Sequence, residues 1–152
     1  MKRVVNGWTP AGEPTVLFEG EPPARFDFGE ARSFEIWSTE SVPASFRTTD
    51  DPTVGDFQVE PSLGGSICRI ATYAPGAEIE IHSTQTVDYM VVISGELTLV
   101  LADREITLAP GDVAVQLAAP HGWANRGDEE CVAMAVLLTA EGASEEGKIK
   151  WP

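Results

Sequence analysis

From Ser66 onward the chain is a series of short β-rich runs: "SICRIATY", "AEIEIH", "VDYMVVIS", "ELTLVL", "REITLA", "VAVQL" and "CVAMAVLLT". Gly and Pro punctuate nearly every junction, as in "APGA", "SGE", "APGD" and "APHG". Such residues supply the backbone angles of tight turns, and strands this short bury their apolar faces only by packing on one another. The spacing therefore predicts an antiparallel sandwich or barrel. No segment of useful length has helical periodicity; the one candidate, "GASEEGKIK" near the C-terminus, is short and flanked by Gly. The expected fold class is all-β.

With 152 residues and 43% hydrophobic content, the chain has material for one domain with a real core and little for a second. The first 65 residues are rich in Pro and Gly and weakly periodic, with "GEPTVLFEGEPPARFDFGE" and "TTDDPTVGDF" reading as loops around short extended pieces. Within them "SFEIWST", residues 33–39, is the best strand candidate, because Phe34 and Ile36 with Trp37 fit a half-buried segment. The expected organisation is an N-terminal arm with outer strands packing on a barrel over 1–65, the barrel over 66–140, and a C-terminal tail over 141–152. A small barrel must cover its exposed edges, so the arm is expected to extend one sheet and the protein to form a homodimer.

Ten Lys and Arg stand against 24 Asp and Glu, a net charge of −14. That balance repels nucleic acid and anionic membrane surfaces, so neither is an expected partner. The N-terminus, "MKRVVNGWTPAG", has no apolar run of signal-peptide length, which predicts a soluble, cytoplasmic protein. Cys68 and Cys131 both fall in apolar, strand-like runs, where a free buried thiol is the common case.

One stretch breaks the alternation. In "GAEIEIHSTQTVDYMVVISG" a His, a Thr and an Asp stand between Gly76 and Gly95. A second stretch, "GDVAVQLAAPHGWAN", contains the only other histidine. Together they resemble the two motifs of the cupin superfamily. In the first, Gly76 is followed after five residues by His82, then by Thr84, by Asp88, and after six more residues by Gly95. In the second, Gly111 and Asp112 open a strand and His121 precedes Asn125 by the family's interval, with Ala118 where a turn Gly is usual. The form H-x-T-x3-D-Y looks like a subgroup of small single-domain cupins of the conserved-barrel type.

The resemblance implies an antiparallel double-stranded β-helix, the jelly-roll barrel, with a small-molecule site inside it. Carried over position by position, it implies that His82, Asp88 and His121 hold a divalent transition metal (Fe, Mn, Ni or Zn) and carry catalysis. Thr84 replaces one family histidine, and Asp88 keeps the carboxylate but is a methylene shorter than the usual Glu. Two imidazoles and a carboxylate leave coordination positions open for water or substrate. Thr84, Gln116 and Met90 are the candidate substrate contacts, Gln116 because a polar side chain within "VAVQL" needs a partner if it points inward. The implied chemistry is that of an oxygenase, isomerase, cyclase or dehydratase on a small oxygenated molecule. Two alternatives stay open: a metal-free pair of imidazoles beside Asp88 as acid and base, and a non-enzymatic ligand-binding protein with a degenerate metal site. Tyr89 and Trp123 are expected to pack, Asp112 and Asn125 to fix turns, and Glu78 and Glu80 to face solvent. Val92, Ile93 and Leu99 are expected to join Met90 in the core or lining.

Overall fold

The computed structural model describes residues 1–48 and 50–140; the tail 141–152 and its helical candidate lie outside the described residues. The strands are β1 Arg3–Trp8, β2 Pro14–Gly20, β3 Arg25–Asp27, β4 Ala31–Thr39, β5 Ser66–Tyr73, β6 Glu78–His82, β7 Thr86–Ser94, β8 Leu97–Val100, β9 Glu105–Leu108, β10 Val113–Leu117, β11 His121–Ala124 and β12 Cys131–Thr139. No helix among the described residues is long and apolar enough to cross a membrane.

All pairings are antiparallel. A six-stranded sheet has the order β10-β7-β12-β5-β4-β3, a four-stranded sheet the order β6-β11-β8-β9, and β1 and β2 form a separate ribbon. From β5 to β8, and again from β9 to β12, the chain changes sheet at every connection. This is the all-β winding of a double-stranded β-helix, and each strand contributes its inward alternate residues to a shared interior. Leu97, Val92, Cys131 and Ala133 are almost fully buried there. Gly95 ends the first motif with φ of 70°, and a Cβ on it would lie 2.7 Å from the Glu130 carbonyl oxygen, so the turn requires glycine.

The N-terminal segment contributes β3 and β4 to one end of the larger sheet. The ribbon is tied down by Arg3, whose guanidinium donates to the Ile36 carbonyl at 3.2 Å and to Thr53 Oγ1 at 3.3 Å and pairs with Asp51. On β4 the inward residues are Ala31, Ser33 and Glu35, while Phe34 and Ile36 are only half-buried on the other face. The polar face turns inward because Glu35 is the register partner of Arg69 on β5.

The interior is not filled. The inward residues Ala31 of β4, Ala71 of β5 and Ala135 of β12 are too small to reach the opposite sheet, and all three line a cavity of about 470 Å³. Small side chains on three strands of the larger sheet thus create the space that the rest of the site surrounds.

Candidate functional site

His82 ends β6 and His121 begins β11, and the two are register partners with ring centroids 4.8 Å apart. Their meeting depends on a bulge. His121 pairs with His82 but Trp123 pairs with Ile79, so three steps along β6 match two along β11. The extra residue reverses the alternation of β6: Ile79 and His82 both line the cavity, and Ile81 is left 47% exposed.

Each imidazole is oriented by its own backbone. His82 Nδ1 lies 2.9 Å from the Glu80 carbonyl oxygen and His121 Nδ1 lies 2.8 Å from that of Ala119. A carbonyl only accepts, so both Nδ1 atoms carry the proton, and in the neutral ring the lone pair is on Nε2. His121 is 2% exposed, and burial pushes its imidazole below the ordinary histidine range, favouring the neutral form.

Asp88 reaches the cavity from β7 in the opposite sheet. It is 8% exposed and its Oδ1 has no hydrogen-bond partner. Burial pushes this carboxyl above the ordinary range, and the Thr86 hydroxyl, His121, Arg69 and His82 offset that only in part. Thr84, in the crossing between β6 and β7, is also buried against the cavity, and its Oγ1 accepts a hydrogen bond from Thr86 Oγ1 at 2.7 Å. Among the described residues no three His, Cys, Asp or Glu side chains form a ready metal-holding group.

Of the other residues expected at the site, Met90 lines the cavity. Gln116 is buried as the register partner of Asp88 but is not among the lining residues. Trp123 is 5% exposed, lines the cavity and meets the His121 ring edge-on at 5.7 Å. Tyr89 and Ile93 correct the expectation that they pack inward: they are 43% and 51% exposed. The inward set on β7 is Thr86, Asp88, Met90 and Val92, so the odd-numbered positions face out. Asn125 fixes its turn as expected, with Nδ2 donating to the Tyr73 and Glu129 carbonyls and Oδ1 accepting from Gly127 N. Asp112 likewise accepts from Ala109 N. Glu78 and Glu80 are exposed, and Cys68 and Cys131 are free thiols, the first half-buried and the second buried.

Arg69 is the charged cavity residue with an unpartnered atom that sequence reasoning missed, together with its partner Glu35. Its signal was present: in "SICRIATY" it shares the inward alternation of Ile67, Ala71 and Tyr73. A charge at a core position of a strand marks a buried polar function.

The family described as Cupin domain matches residues 69–137. The chain is 37% identical over 134 residues to phomopsin biosynthesis cluster protein C' of Diaporthe leptostromiformis, covering 84% of this chain and 71% of that protein. It is 36% identical over 100 residues to the cupin-domain-containing oxidoreductase fogC of Aspergillus ruber, covering 63% of this chain and 49% of that protein, so it spans about half of that relative's length. Among solved structures, an uncharacterized double-stranded β-helix protein from Klebsiella pneumoniae aligns with a TM-score of 0.55 and 21% identity over 78% of this chain and 84% of that one. KdgF from Halomonas sp. aligns with a TM-score of 0.54 and 12% identity over 78% of this chain and 89% of that one. At these identities the two structures establish the fold alone.

Proposed function

The chain belongs to the cupin superfamily, and from that premise we propose that it is a metal-dependent enzyme acting on a small oxygenated organic molecule bound in the cavity between its sheets. The observation that carries this reading is the convergence on one cavity of two imidazoles with free Nε2 atoms and a buried carboxylate with an unpartnered oxygen. Those three donors suit a divalent transition ion, which takes neutral imidazole and ionised carboxylate. His82, His121 and Asp88 would hold it. Bound there, such an ion supplies Lewis-acid polarisation or a redox centre for the substrate oxygen.

The chain's own residues supply the rest. The backbone carbonyls of Glu80 and Ala119 lock each ring in one tautomer, the usual support behind a ligating histidine. Burial of His121 lowers its proton affinity and so favours a neutral ring with Nε2 free. Trp123 and Met90 exclude water from the wall, and Thr84 brings a hydroxyl to the same cavity for a substrate oxygen. The naming of one relative as an oxidoreductase, and of another as a biosynthesis-cluster protein, supports redox chemistry on a small organic substrate.

A second reading has one observation in its favour: the donors do not form a ready metal-holding group among the described residues. In it, Asp88 and the histidines exchange protons with the ligand, or merely bind it, without an ion. Metal content by mass spectrometry separates the two. Wild type loaded with iron, manganese, nickel or zinc is expected to retain one ion per chain, His121→Ala and Asp88→Asn to lose it, and Thr84→Val to keep it. Wild type that stays metal-free after all four incubations overturns the metal reading in favour of the second.

A further inference from the structure

Only two buried side-chain polar atoms among the described residues lack a hydrogen-bond partner: Asp88 Oδ1 and Arg69 Nε. Both belong to side chains that line the same cavity. Buried donors without acceptors are rare because nothing replaces the water they lost, so the Nε–H of Arg69 points to a missing acceptor.

Arg69 is 9% exposed, and its plane is fixed from two sides. The guanidinium carbon stands 4.8 Å from the centroid of the Phe57 ring, and Nη2 donates to the Gln58 carbonyl at 2.7 Å. Glu35 Oε1 is 3.4 Å from Nε without forming a hydrogen bond to it, and that same oxygen accepts from the Ser33 hydroxyl at 3.0 Å. An arginine is always charged. Glu35 is the ion-pair partner of Arg69 and Asp88 lies within its electrostatic reach, yet the buried Nε–H has no hydrogen-bond acceptor. The other arginine on the cavity, Arg32, is already committed: it pairs with Glu130 and its Nε donates to Thr72 Oγ1 at 3.3 Å. Phe28, Phe57, Tyr73 and Trp123 give the remaining wall an aromatic character.

We propose that Arg69 is a specificity-determining residue that binds the carboxylate of the ligand, and that the rest of the ligand is an aromatic or similarly apolar body. A carboxylate offers a guanidinium two coplanar, charged acceptors, whereas a neutral amide of the same shape offers one uncharged acceptor. The chain's net charge of −14 repels an anion at long range, so this recognition acts through direct contact inside the cavity. The inference rests on the reading that the cavity holds a small molecule, and it adds the ligand's chemical class.

The test is calorimetric titration of the full chain with 3-phenylpropanoate and with 3-phenylpropanamide, each with and without chelator. The acid is expected to bind about tenfold more tightly than the amide, as a charge-assisted pair should, and to keep that preference in chelator. Glu35→Gln removes the competing carboxylate and is expected to widen the preference. The double variant Glu35→Gln with Arg69→Met is expected to abolish the preference while still binding the amide. Equal binding of acid and amide by the wild type overturns the role of Arg69 and leaves the cavity reading standing. So does a preference that vanishes with chelator, which would place the carboxylate on a metal. A preference that survives in the double variant also overturns it. Failure of both probes to bind at millimolar concentration overturns the inference and the small-molecule reading together.

Discussion

A Cβ on residue 122 would lie 2.6 Å from the carbonyl oxygen of Ile79, so Gly122 is the residue that lets the bulged strand β6 press against β11. The contact is backbone on backbone and cannot relax by a side-chain rotation. Gly122→Ala should therefore shift β6, part the two histidine rings and destabilise the fold by about 2 kcal/mol, the usual scale of overpacking. Thermal unfolding together with metal uptake measures both effects, and a variant with wild-type values for each would refute the role given to the bulge.

Ala118 stands at φ of 54°, in the left-handed region that disfavours any residue with a Cβ. The turn is held there by the Ala118 N–H, which donates to the Thr86 carbonyl at 3.0 Å. Ala118→Gly should relieve the strain and, after the added entropy of an unfolded glycine, raise stability by about 0.5 kcal/mol. A lower melting temperature would count against it.

The Arg3 and Asp51 pair should make stability depend on acid pH. Burial alone would raise the Asp51 carboxyl, but hydrogen bonds from Arg3 and Thr53 outweigh it and hold the carboxyl below the ordinary range. A lowered carboxyl contributes stability that is present above its unfolded value, about 3.9, and is lost as pH falls through the lowered folded value. Arg3→Met should cost about 2 kcal/mol at pH 7, the scale of hydrogen bonds to a charged group, by leaving the half-buried carboxylate with Thr53 alone. The gap between variant and wild type should shrink as pH falls below about 4. Denaturant titrations at pH 7 and in acid would measure it, and a constant gap would exclude Asp51 as the source.

Trp123 serves the core and the cavity at once. Trp123→Leu should lower stability by about 2 kcal/mol through lost packing, and it should enlarge the cavity beside His121. Unchanged stability with collapsed ligand binding would assign the indole to ligand contact alone.

The barrel strands were legible in the sequence because turn residues bracket them so consistently: the runs read at 66–73, 113–117 and 131–139 coincide with β5, β10 and β12. β11 was hidden because its four residues, "HGWA", include a glycine and show no alternation; all four are buried. The ribbon β1–β2 was blurred for a related reason, since exposed Val4, Trp8 and Val16 give it no single apolar face. Facing was the harder problem. In "YMVVI" every residue is apolar, so period-two alternation could not say that Met90 and Val92 point in while Tyr89 and Ile93 point out. On β4 Phe34 and Ile36 are half-buried as read, but the alternation did not say that the buried face is the one carrying Ser33 and Glu35, with Glu35 paired to Arg69. His82, Thr84, Asp88 and His121 were legible from motif spacing, whereas Arg69 lies outside the motifs and its one signal was a charge at an inward position of β5.

The twenty-residue stretch from Gly76 to Gly95 delivers His82 to the smaller sheet and Asp88 to the larger one, with Thr84 at the crossing between them. The donors therefore have no local existence: an excised hairpin, or a loop grafted onto another scaffold, would carry the letters of the motif without its geometry. A partly folded state that kept every strand but let the two sheets slide apart would look native to backbone spectroscopy and be chemically blank. If the proposed site is right, metal or ligand uptake would for that reason gauge complete folding of this chain more sharply than its strand content.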